Sequence, residues 1–229
     1  MSYDEAFAIR YEEWSAHMTE DIGFYVELAV ESEGPIVELA VGNGRVAIPV
    51  AEATGRTVIG FDTSSAMLAQ AHENAAAAGV TLDLRETDMR DLSLAEPAGL
   101  IYCPFRSLLH LPSWSDRRRT FERVGASLRP GGRLAWNAFA FDHVIATELD
   151  GRHDEDPVPH TLHYDVVDNR IDIVLDEGET SSLWWATKNE WLGLLDVSGL
   201  ELEALYGTFD KQPLDETSRE YIFVARLGG

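Results

Sequence analysis

Val37-Glu-Leu-Ala-Val-Gly-Asn-Gly44 carries an apolar run into a turn with two glycines, and Asp62 follows at the end of the next apolar run, Thr57 to Phe61. Gly42 and Gly44 lack a Cβ, so the backbone can turn sharply there and approach a ligand closely. Asp62 lies where a carboxylate could accept hydrogen bonds from both hydroxyls of a ribose. This order of strand, glycine turn, helix and acid predicts a nucleotide pocket at the carboxyl ends of neighbouring strands in an α/β protein.

The glycine turn by itself allows two kinds of cofactor. Gly42-Asn-Gly-Arg-Val-Ala47, with an acid about 20 residues later, also satisfies the dinucleotide pattern, so an NAD(P)-dependent oxidoreductase is one interpretation. Glu38 favours another, because a carboxylate ahead of the turn would repel a pyrophosphate and attract an ammonium group. The cofactor that brings an ammonium group to this place is S-adenosylmethionine, whose methionine tail is zwitterionic.

The composition is that of a globular chain with a core of ordinary size. The 229 residues suit one domain, and 45% of them are hydrophobic and 25% charged. No stretch approaches the ~18 consecutive apolar residues of a membrane helix, and Met1 to Ala6 lacks the basic and apolar regions of a signal peptide. Cys103 is the only cysteine, which excludes an intramolecular disulfide and a cysteine zinc cluster. We therefore expect a cytoplasmic protein without a membrane partner.

Charge argues against a nucleic-acid partner. The chain has 40 acidic and 18 basic residues, and a net charge of -22 repels phosphate backbones. The basic cluster Arg117-Arg118-Arg119 is interpreted as a solvated helix surface, since consecutive positions of a helix point to different faces. His143, His160 and His163 form no compact set with an acid on one regular element, so no metal site is predicted.

The chain contains two regions with different patterns of predicted secondary structure. Strands and helices alternate between residues 36 and 139, which predicts right-handed crossovers and a mainly parallel sheet. Residues 141–186 then read as a small antiparallel β insert with a turn at Asp168-Asn169. Residues 1–33 read as an N-terminal helical segment that could form a lid. We expect a single domain over residues 1–229.

In their order along the chain, these motifs resemble the class I S-adenosylmethionine-dependent methyltransferases. Val37 to Gly44 resembles the family's first motif, acid-x-Gly-x-Gly-x-Gly, and Gly60 to Leu68 resembles its second. Thr87-Asp-Met89 is similar to the adenine-binding segment, and Leu128 to Leu134 is similar to the turn before strand five. The likeness covers nearly the whole chain. It implies an α/β, Rossmann-like, mainly parallel seven-stranded sheet with helices on both faces and a terminal antiparallel hairpin.

The resemblance also implies roles for individual residues. Asp62 would bind the ribose hydroxyls, Asp88 the adenine amino group, and the backbone amide of Met89 the adenine ring. The other positions implied for S-adenosylmethionine are Glu38, Ala40, Gly42, Asn43, Gly44, Thr63, Met67, Pro104 and Phe105. Tyr11 and Trp14 share a helical face and could form a lid over the methionine end, with core packing as the alternative. Ala40 stands where the family has its first glycine, so we expect a negative φ that is compatible with a Cβ.

The segment after the fourth strand supplies the candidates for chemistry. Methyl transfer needs a base only where the acceptor starts protonated, and His110 is the candidate base because its ordinary pKa is close to neutral. The alternative for His110 is a structural role in packing or capping a helix. Arg106 could hold a substrate carboxylate or phosphate, and its alternative is a surface salt bridge.

The expected acceptor is a small molecule methylated on a nitrogen or oxygen atom, with residues 141–186 covering its site. Trp184, Trp185 and Trp191 could line a substrate wall or the interface of a homodimer, and core packing is the alternative for at least one of them. Two other functions stay open. One is the NAD(P)-dependent oxidoreductase, and the other is a non-catalytic cofactor-binding or scaffold protein of the same fold.

Overall fold

The computed structural model describes residues 18–155 and 158–228, in which helices alternate with strands of two β-sheets. The strands are β1 (Ile36–Leu39), β2 (Val58–Asp62), β3 (Leu82–Glu86), β4 (Ala98–Cys103), β5 (Leu128–Phe139), β6 (His153–Asp154), β7 (His160–Asp165), β8 (Arg170–Leu175), β9 (Thr180–Trp184), β10 (Leu200–Tyr206) and β11 (Glu220–Leu227). The α-helices are α1 (Ile22–Glu31), α2 (Ala47–Thr54), α3 (Ser65–Ala78), α4 (Trp114–Ser127), α5 (His143–Leu149) and α6 (Lys188–Ser198).

The larger sheet has seven strands in the order β10-β11-β5-β4-β1-β2-β3. The pairs β1–β2, β2–β3, β1–β4 and β4–β5 are parallel, whereas β11 runs antiparallel to both of its neighbours, β5 and β10. The parallel core follows from the helical crossovers, and the reversed strand follows from the hairpin that closes the chain. The predicted fold class is confirmed.

An apolar core lies on each face of this sheet. One core packs α1 and α2 against the sheet through residues such as Tyr25, Val50 and Leu100. The other core packs α4 and α6 against the opposite face, with the rings of Trp136 and Trp191 at its centre. All four residues of β1 are buried because helices cover both of its faces. Trp191 is therefore a core residue, as one of its two interpretations predicted.

The second sheet has four antiparallel strands in the order β6-β7-β8-β9, and it lies within the predicted insert, residues 141–186. Asn169 takes a left-handed φ of 52° in the turn between β7 and β8, at the position that the sequence predicted.

Helix α5 was not predicted. It begins after Asp142, whose side chain accepts hydrogen bonds from the backbone N–H groups of Val144 and Ile145. Strand β6 was not predicted individually either.

Strand β5 begins at Leu128 and not at Leu134, where the sequence placed its start. The Arg129-Pro-Gly-Gly132 segment was predicted as a turn, and it forms an irregularity within the strand. Pairing with β4 shifts register there, and Gly131 has a φ of 72°. A bulge of this kind accommodates extra residues without ending the strand.

The interpretation of Arg117 as a solvated residue is wrong. Its side chain is buried, its guanidinium lies 5.2 Å from the centre of the Trp191 ring, and it donates a hydrogen bond to the Trp184 carbonyl. The reason is that α4 faces α6 and the end of β9 along this side. Arg118 and Arg119 instead form surface ion pairs with Glu122 and Asp91.

The N-terminal segment predicted as a helical lid, residues 1–33, is described only from residue 18 onwards. Helix α1 packs its buried residues Phe24, Tyr25 and Leu28 against the sheet and α2. The predicted positions Tyr11 and Trp14 lie outside the described residues. Within residues 18–155 and 158–228, the helices are all too short or too polar to cross a membrane, and the His, Cys, Asp and Glu side chains form no group of three that could hold a metal ion.

Candidate active site

The candidate site lies at the carboxyl ends of β1, β2, β3 and β4. Between β1 and β4 the order of the strands in the sheet reverses relative to their order in the sequence. From β1 the sheet continues to β2 and β3 on one side, and from β4 it continues to β5 on the other. Ligands of open α/β sheets bind in the crevice outside such a reversal. The glycine turn follows β1, Asp62 ends β2, Asp88 follows β3, and residues 104–106 follow β4. The structure therefore brings the motifs predicted for one pocket to one edge.

Ala40 corrects a prediction about the glycine turn. We expected a negative φ, but Ala40 has a φ of 54°, and Gly42 and Gly44 follow with 55° and 85°. Hydrogen bonds fix this path, because the N–H of Val41 donates to the Phe61 carbonyl at 2.9 Å and that of Gly42 donates to Asp62 at 2.9 Å. The chain must reverse immediately before these bonds, and Ala40 takes the left-handed conformation despite its Cβ.

Ala40→Gly should stabilise the protein by up to about 1 kcal/mol. A Cβ costs roughly 1–2 kcal/mol in the left-handed region, and part of that gain is lost because glycine is more flexible in the unfolded chain. Urea unfolding monitored by circular dichroism measures the difference. The control is Ala76→Gly in α3, which is exposed and helical and should lose about 0.5–1 kcal/mol. Equal destabilisation by both substitutions would contradict the strain at Ala40.

Asp62 is bound to the glycine turn as well as being placed for a ribose. Its Oδ2 accepts from the Gly42 N–H and its Oδ1 accepts from the Ser64 N–H, both at 2.9 Å. Burial raises the pKa of the Asp62 carboxyl, and the backbone N–H groups of Ser64, Gly42 and Thr63 oppose that rise. A carboxylate has about four lone-pair sites, so these three N–H groups leave some acceptor capacity for ribose hydroxyls. Thr63 is exposed beside Asp62.

Glu38 and Asn43 place two unsatisfied acceptors in the crevice. The Glu38 side chain is buried on β1, and among the described residues neither its Oε2 nor the Oδ1 of Asn43 has a hydrogen-bond partner. Burial raises the pKa of the Glu38 carboxyl to about 8, and the Tyr102 hydroxyl and the positive charge of Arg45 oppose that rise. Buried acceptors without partners are costly in a native protein. An ammonium group would supply donors to both, so these residues fit the methionine end of S-adenosylmethionine.

Arg45 is a further candidate at this site that was not predicted. It pairs in bidentate fashion with Asp21, with two N–O distances of 2.7 Å, and its guanidinium lies 5.0 Å from the centre of the Phe105 ring. A guanidinium has five donors, so Arg45 could also bind the carboxylate of a methionine tail. Its position directly after Gly44 was the signal that could have identified it, because it is the first cation after the turn.

Asp88 and Met89 lie at the far side of the crevice. Asp88 caps the 3₁₀ turn Met89–Asp91 by accepting from the Arg90 N–H at 2.8 Å, and it forms a bidentate ion pair with the Arg90 side chain. This pair lowers the pKa of Asp88, so the carboxylate is ionised and can accept from an amino group. Met67 is buried in α3, where its N–H donates to the Ser64 side chain at 3.3 Å.

The turn after β4 has an unusual backbone. Pro104 is buried, and Phe105 and Arg106 take consecutive left-handed φ values of 58° and 60°. The Arg106 guanidinium forms an ion pair with Glu220 at the start of β11. This ion pair fits the prediction of a salt bridge for Arg106. The half-exposed guanidinium also lines the cavity beside the insert, as a contact with a substrate would require.

His110 is connected to the β insert. It ends the 3₁₀ turn Ser107–His110, and its ring hydrogen-bonds to the backbone of Ser182 in β9. Burial lowers the pKa of His110 to about 4, more than this hydrogen bond raises it. The imidazole is therefore neutral at pH 7 and a weak base. Its role as a general base stays a prediction, and the contact with Ser182 supports the structural alternative.

His110→Gln should change how stability depends on pH. The unfolded histidine binds a proton near its ordinary pKa of 6.5, whereas the folded one binds it only near 4. The wild-type free energy of unfolding should therefore fall, relative to that of the variant, as pH drops from 6.5 to 4. Thermal unfolding across this range measures the difference. The control is His72→Gln at an exposed position of α3. An identical pH dependence in wild type and His110→Gln would contradict the buried neutral ring.

A cavity of about 350 Å³ lies between the end of β5 and the inner face of the insert. Its walls are mainly apolar, with Phe139, Phe141, Ile145, Leu162, Ile171 and Leu183 among them. Charged groups also reach it, from Arg106, Asp142 and Arg219. An apolar cleft with a few charged groups is typical of a small-molecule site. Trp185 supports one wall from outside by stacking on Phe141 at 4.0 Å.

Two further residues were missed beside this cavity. Asn137 is buried on β5, and a polar residue inside the apolar run Leu134 to Phe139 was the signal that could have identified it. Glu220 gave no local signal, because its contacts with Asn137 and Arg106 join residues 83 and 114 positions apart in the chain.

Known proteins share this sequence pattern and this fold. Residues 36–132 match a family model described as a methyltransferase domain. The chain is 30% identical over 159 residues to the Bacillus subtilis protein YqeM, which carries the provisional name of a methyltransferase, over 66% of this chain and 63% of that protein. It is 28% identical over 144 residues to the glycine/sarcosine N-methyltransferase of Halorhodospira halochloris, over 62% of this chain and 53% of that protein. The chain thus spans less than two thirds of the length of either relative.

Solved structures resemble the whole chain. An S-adenosylmethionine-dependent methyltransferase from Clostridium acetobutylicum superposes with a TM-score of 0.82 at 17% identity, over 98% of both chains. The sugar N-methyltransferase KedS8 from Streptoalloteichus superposes with a TM-score of 0.74 at 19% identity, over 97% of this chain and 93% of that one. The motif order and the reversed terminal strand agree with these matches: residues 36–132 match a methyltransferase domain, and the whole chain shares the fold of these solved methyltransferase structures.

Proposed function

We propose that the protein transfers the methyl group of S-adenosylmethionine to a nitrogen or oxygen atom of a small molecule held in the cavity between β5 and the insert. The observation that carries the proposal is the Oε2 of Glu38, which is buried beside a glycine turn and an acid at the reversal point of the sheet and has no hydrogen-bond partner in the part of the chain that the structure describes. A pyrophosphate has only acceptor oxygens and would oppose ionisation of Glu38, whereas an ammonium group supplies donors and a positive charge, so this feature favours S-adenosylmethionine over a dinucleotide.

Each end of the cofactor has a matching group in the crevice. Glu38 and Asn43 would accept from the ammonium group, and Arg45 would bind the carboxylate. Asp62 would accept from the ribose hydroxyls with the lone pairs that the glycine turn leaves free. Asp88, held ionised by Arg90, would accept from the adenine amino group.

The bound cofactor would supply an electrophilic methyl group on its sulfonium, and the protein would position the acceptor next to it. The turn at residues 104–106 lies between the cofactor crevice and the apolar cavity, so an acceptor in that cavity is directed toward the crevice. The apolar walls exclude water from the nucleophile. Positioning of this kind can contribute effective molarities of ~10⁵ M or more. A base is required only for an acceptor that enters protonated, and His110 with a pKa of about 4 suits that role poorly.

Names of similar proteins support a small acceptor. One relative is a glycine/sarcosine N-methyltransferase and one structural neighbour is a sugar N-methyltransferase. The cavity volume of about 350 Å³ suits a molecule of sugar or small-metabolite size. In this proposal residues 141–186 cover the acceptor, residues 1–33 form the lid, and residues 1–229 act as one domain.

Calorimetric titration with S-adenosylhomocysteine and, separately, NADH tests the cofactor. We expect binding of the first and none of the second. Binding of NADH would support the oxidoreductase, and binding of neither by the folded protein would support a scaffold. Incubation with S-adenosylmethionine and glycine, sarcosine, glucosamine or catechol, followed by chromatography of S-adenosylhomocysteine, then tests transfer. Cofactor binding without turnover on any amine or hydroxyl acceptor would count against the small-molecule assignment.

A further inference from the structure

The buried side chain of Asn137 joins three parts of the molecule at the edge of the acceptor cavity. Its Oδ1 accepts from the hydroxyl of Tyr25 in α1 at 3.2 Å and from the backbone N–H of Arg106 at 3.3 Å. Its Nδ2 donates to Oε2 of Glu220 at 3.2 Å. Glu220 in turn forms the ion pair with the Arg106 side chain. One amide group therefore contacts both the backbone and, through Glu220, the guanidinium of the same arginine.

The arginine held in this way belongs to the strained turn. Phe105 and Arg106 are both left-handed, and a non-glycine residue in that region persists where its surroundings hold it. The turn also separates two functional surfaces. The Phe105 ring lies against the Arg45 guanidinium on the cofactor side, and Arg106 lines the cavity on the acceptor side. The conformation of this turn therefore sets the arrangement on both sides.

We propose that Asn137 is a positioning residue, which holds the turn at Phe105 and Arg106 so that the Arg106 guanidinium faces the acceptor cavity. The inference rests on the proposed function in taking this cavity as the acceptor site. Glu220 adds a second reason. Burial raises the pKa of its carboxyl, and Arg106 and Asn137 oppose that rise, so loss of the amide donor also weakens the ion pair that orients Arg106.

Asn137→Ala should release the turn. We expect trypsin to cleave the Arg106–Ser107 bond about tenfold faster in the folded variant, since one lost hydrogen bond of ordinary strength corresponds to roughly that factor. Mass spectrometry of the fragments identifies the bond. With the acceptor of the four above that the wild type methylates fastest, KM for the acceptor should rise about tenfold while kcat changes less than threefold. Wild-type cleavage at Arg106 together with a wild-type KM would overturn the proposal.

Two further variants separate positioning from general stability. Thr120→Val removes a buried hydroxyl that bonds to the Asp116 carbonyl within α4, away from the turn, and it should leave both measurements unchanged at a comparable loss of stability. A rise in KM and cleavage in Thr120→Val equal to that in Asn137→Ala would overturn the positioning role. Tyr25→Phe removes only the phenol hydroxyl and should give a smaller increase in cleavage than Asn137→Ala. If Asn137→Ala does not fold, unchanged cleavage in Tyr25→Phe overturns the proposal.

The experiments distinguish failure of the proposed function from failure of the role proposed for Asn137. In that case wild-type protein would not bind S-adenosylhomocysteine or turn over an acceptor, while the cleavage experiment would still report on the turn. Accelerated cleavage in Asn137→Ala with unchanged KM would place Asn137 in the fold alone and overturn its role toward the acceptor.

Discussion

Asp62→Ala should lower the affinity for S-adenosylhomocysteine at least a hundredfold. The substitution removes two hydrogen bonds between a carboxylate and ribose hydroxyls, each of about 1.5–3 kcal/mol. It also leaves the N–H groups of Gly42 and Ser64 without their acceptor, so the glycine turn loses part of its support. Calorimetric titration of the folded variant measures the affinity, and circular dichroism verifies the fold.

Two controls sharpen this result. Asp62→Asn keeps the size of the side chain and one carbonyl oxygen, so it should weaken binding by less than Asp62→Ala. Asp91→Ala removes a surface carboxylate that pairs with Arg119 outside the pocket, and it should leave affinity unchanged. Wild-type affinity in Asp62→Ala would refute the ribose assignment.

Glu38→Gln should weaken binding by about ten- to a hundredfold, because the ammonium group loses its charged partner. It should also remove a pH dependence. The pKa of Glu38 is about 8 without the cofactor, and the ammonium group binds the ionised form. Binding therefore releases a proton at pH 7, and wild-type affinity should rise as pH increases from 6 to 8. Calorimetry in buffers of different ionisation enthalpy measures that proton.

The raised pKa of Glu38 should make the free energy of unfolding fall as pH rises, whereas the affinity for the cofactor rises with pH. Between pH 4.5 and about 8 the folded Glu38 retains a proton that the unfolded chain has lost. The wild-type free energy of unfolding should therefore fall with rising pH relative to Glu38→Gln, by a few kcal/mol at most. Glu33→Gln, at an exposed side chain, serves as control for both experiments. Equal proton release by wild type and Glu38→Gln would remove the charge argument for the ammonium group.

The sequence was sufficient for features that depend on local order. A strand, a glycine turn and an acid at the next strand end predict their own meeting point, because parallel strands finish at one edge of the sheet. The structure places Glu38, Asp62 and Asp88 accordingly. The antiparallel insert was also predictable, because alternation and the Asp168-Asn169 turn are local signals.

Features that depend on contacts between distant residues were not predictable. The φ of Ala40 is set by bonds to Phe61 and Asp62 on the neighbouring strand, and not by the preference of alanine. The burial of Arg117 depends on the approach of α6. The low pKa of His110 depends on burial, and the hydrogen bond to Ser182, which opposes that shift, joins His110 to the insert about 70 residues later in the chain.

Ala40 has an implication for how this chain can evolve. Alanine and glycine codons differ at a single base, so the unstrained turn is one point mutation away. The strain in the present chain is local. The pairing of β1 with β2 before Ala40 and the hydrogen bonds of Val41 and Gly42 after it hold the same backbone path with or without a Cβ. Substitution to glycine would therefore leave the pocket geometry in place while adding stability that other, destabilising mutations could use.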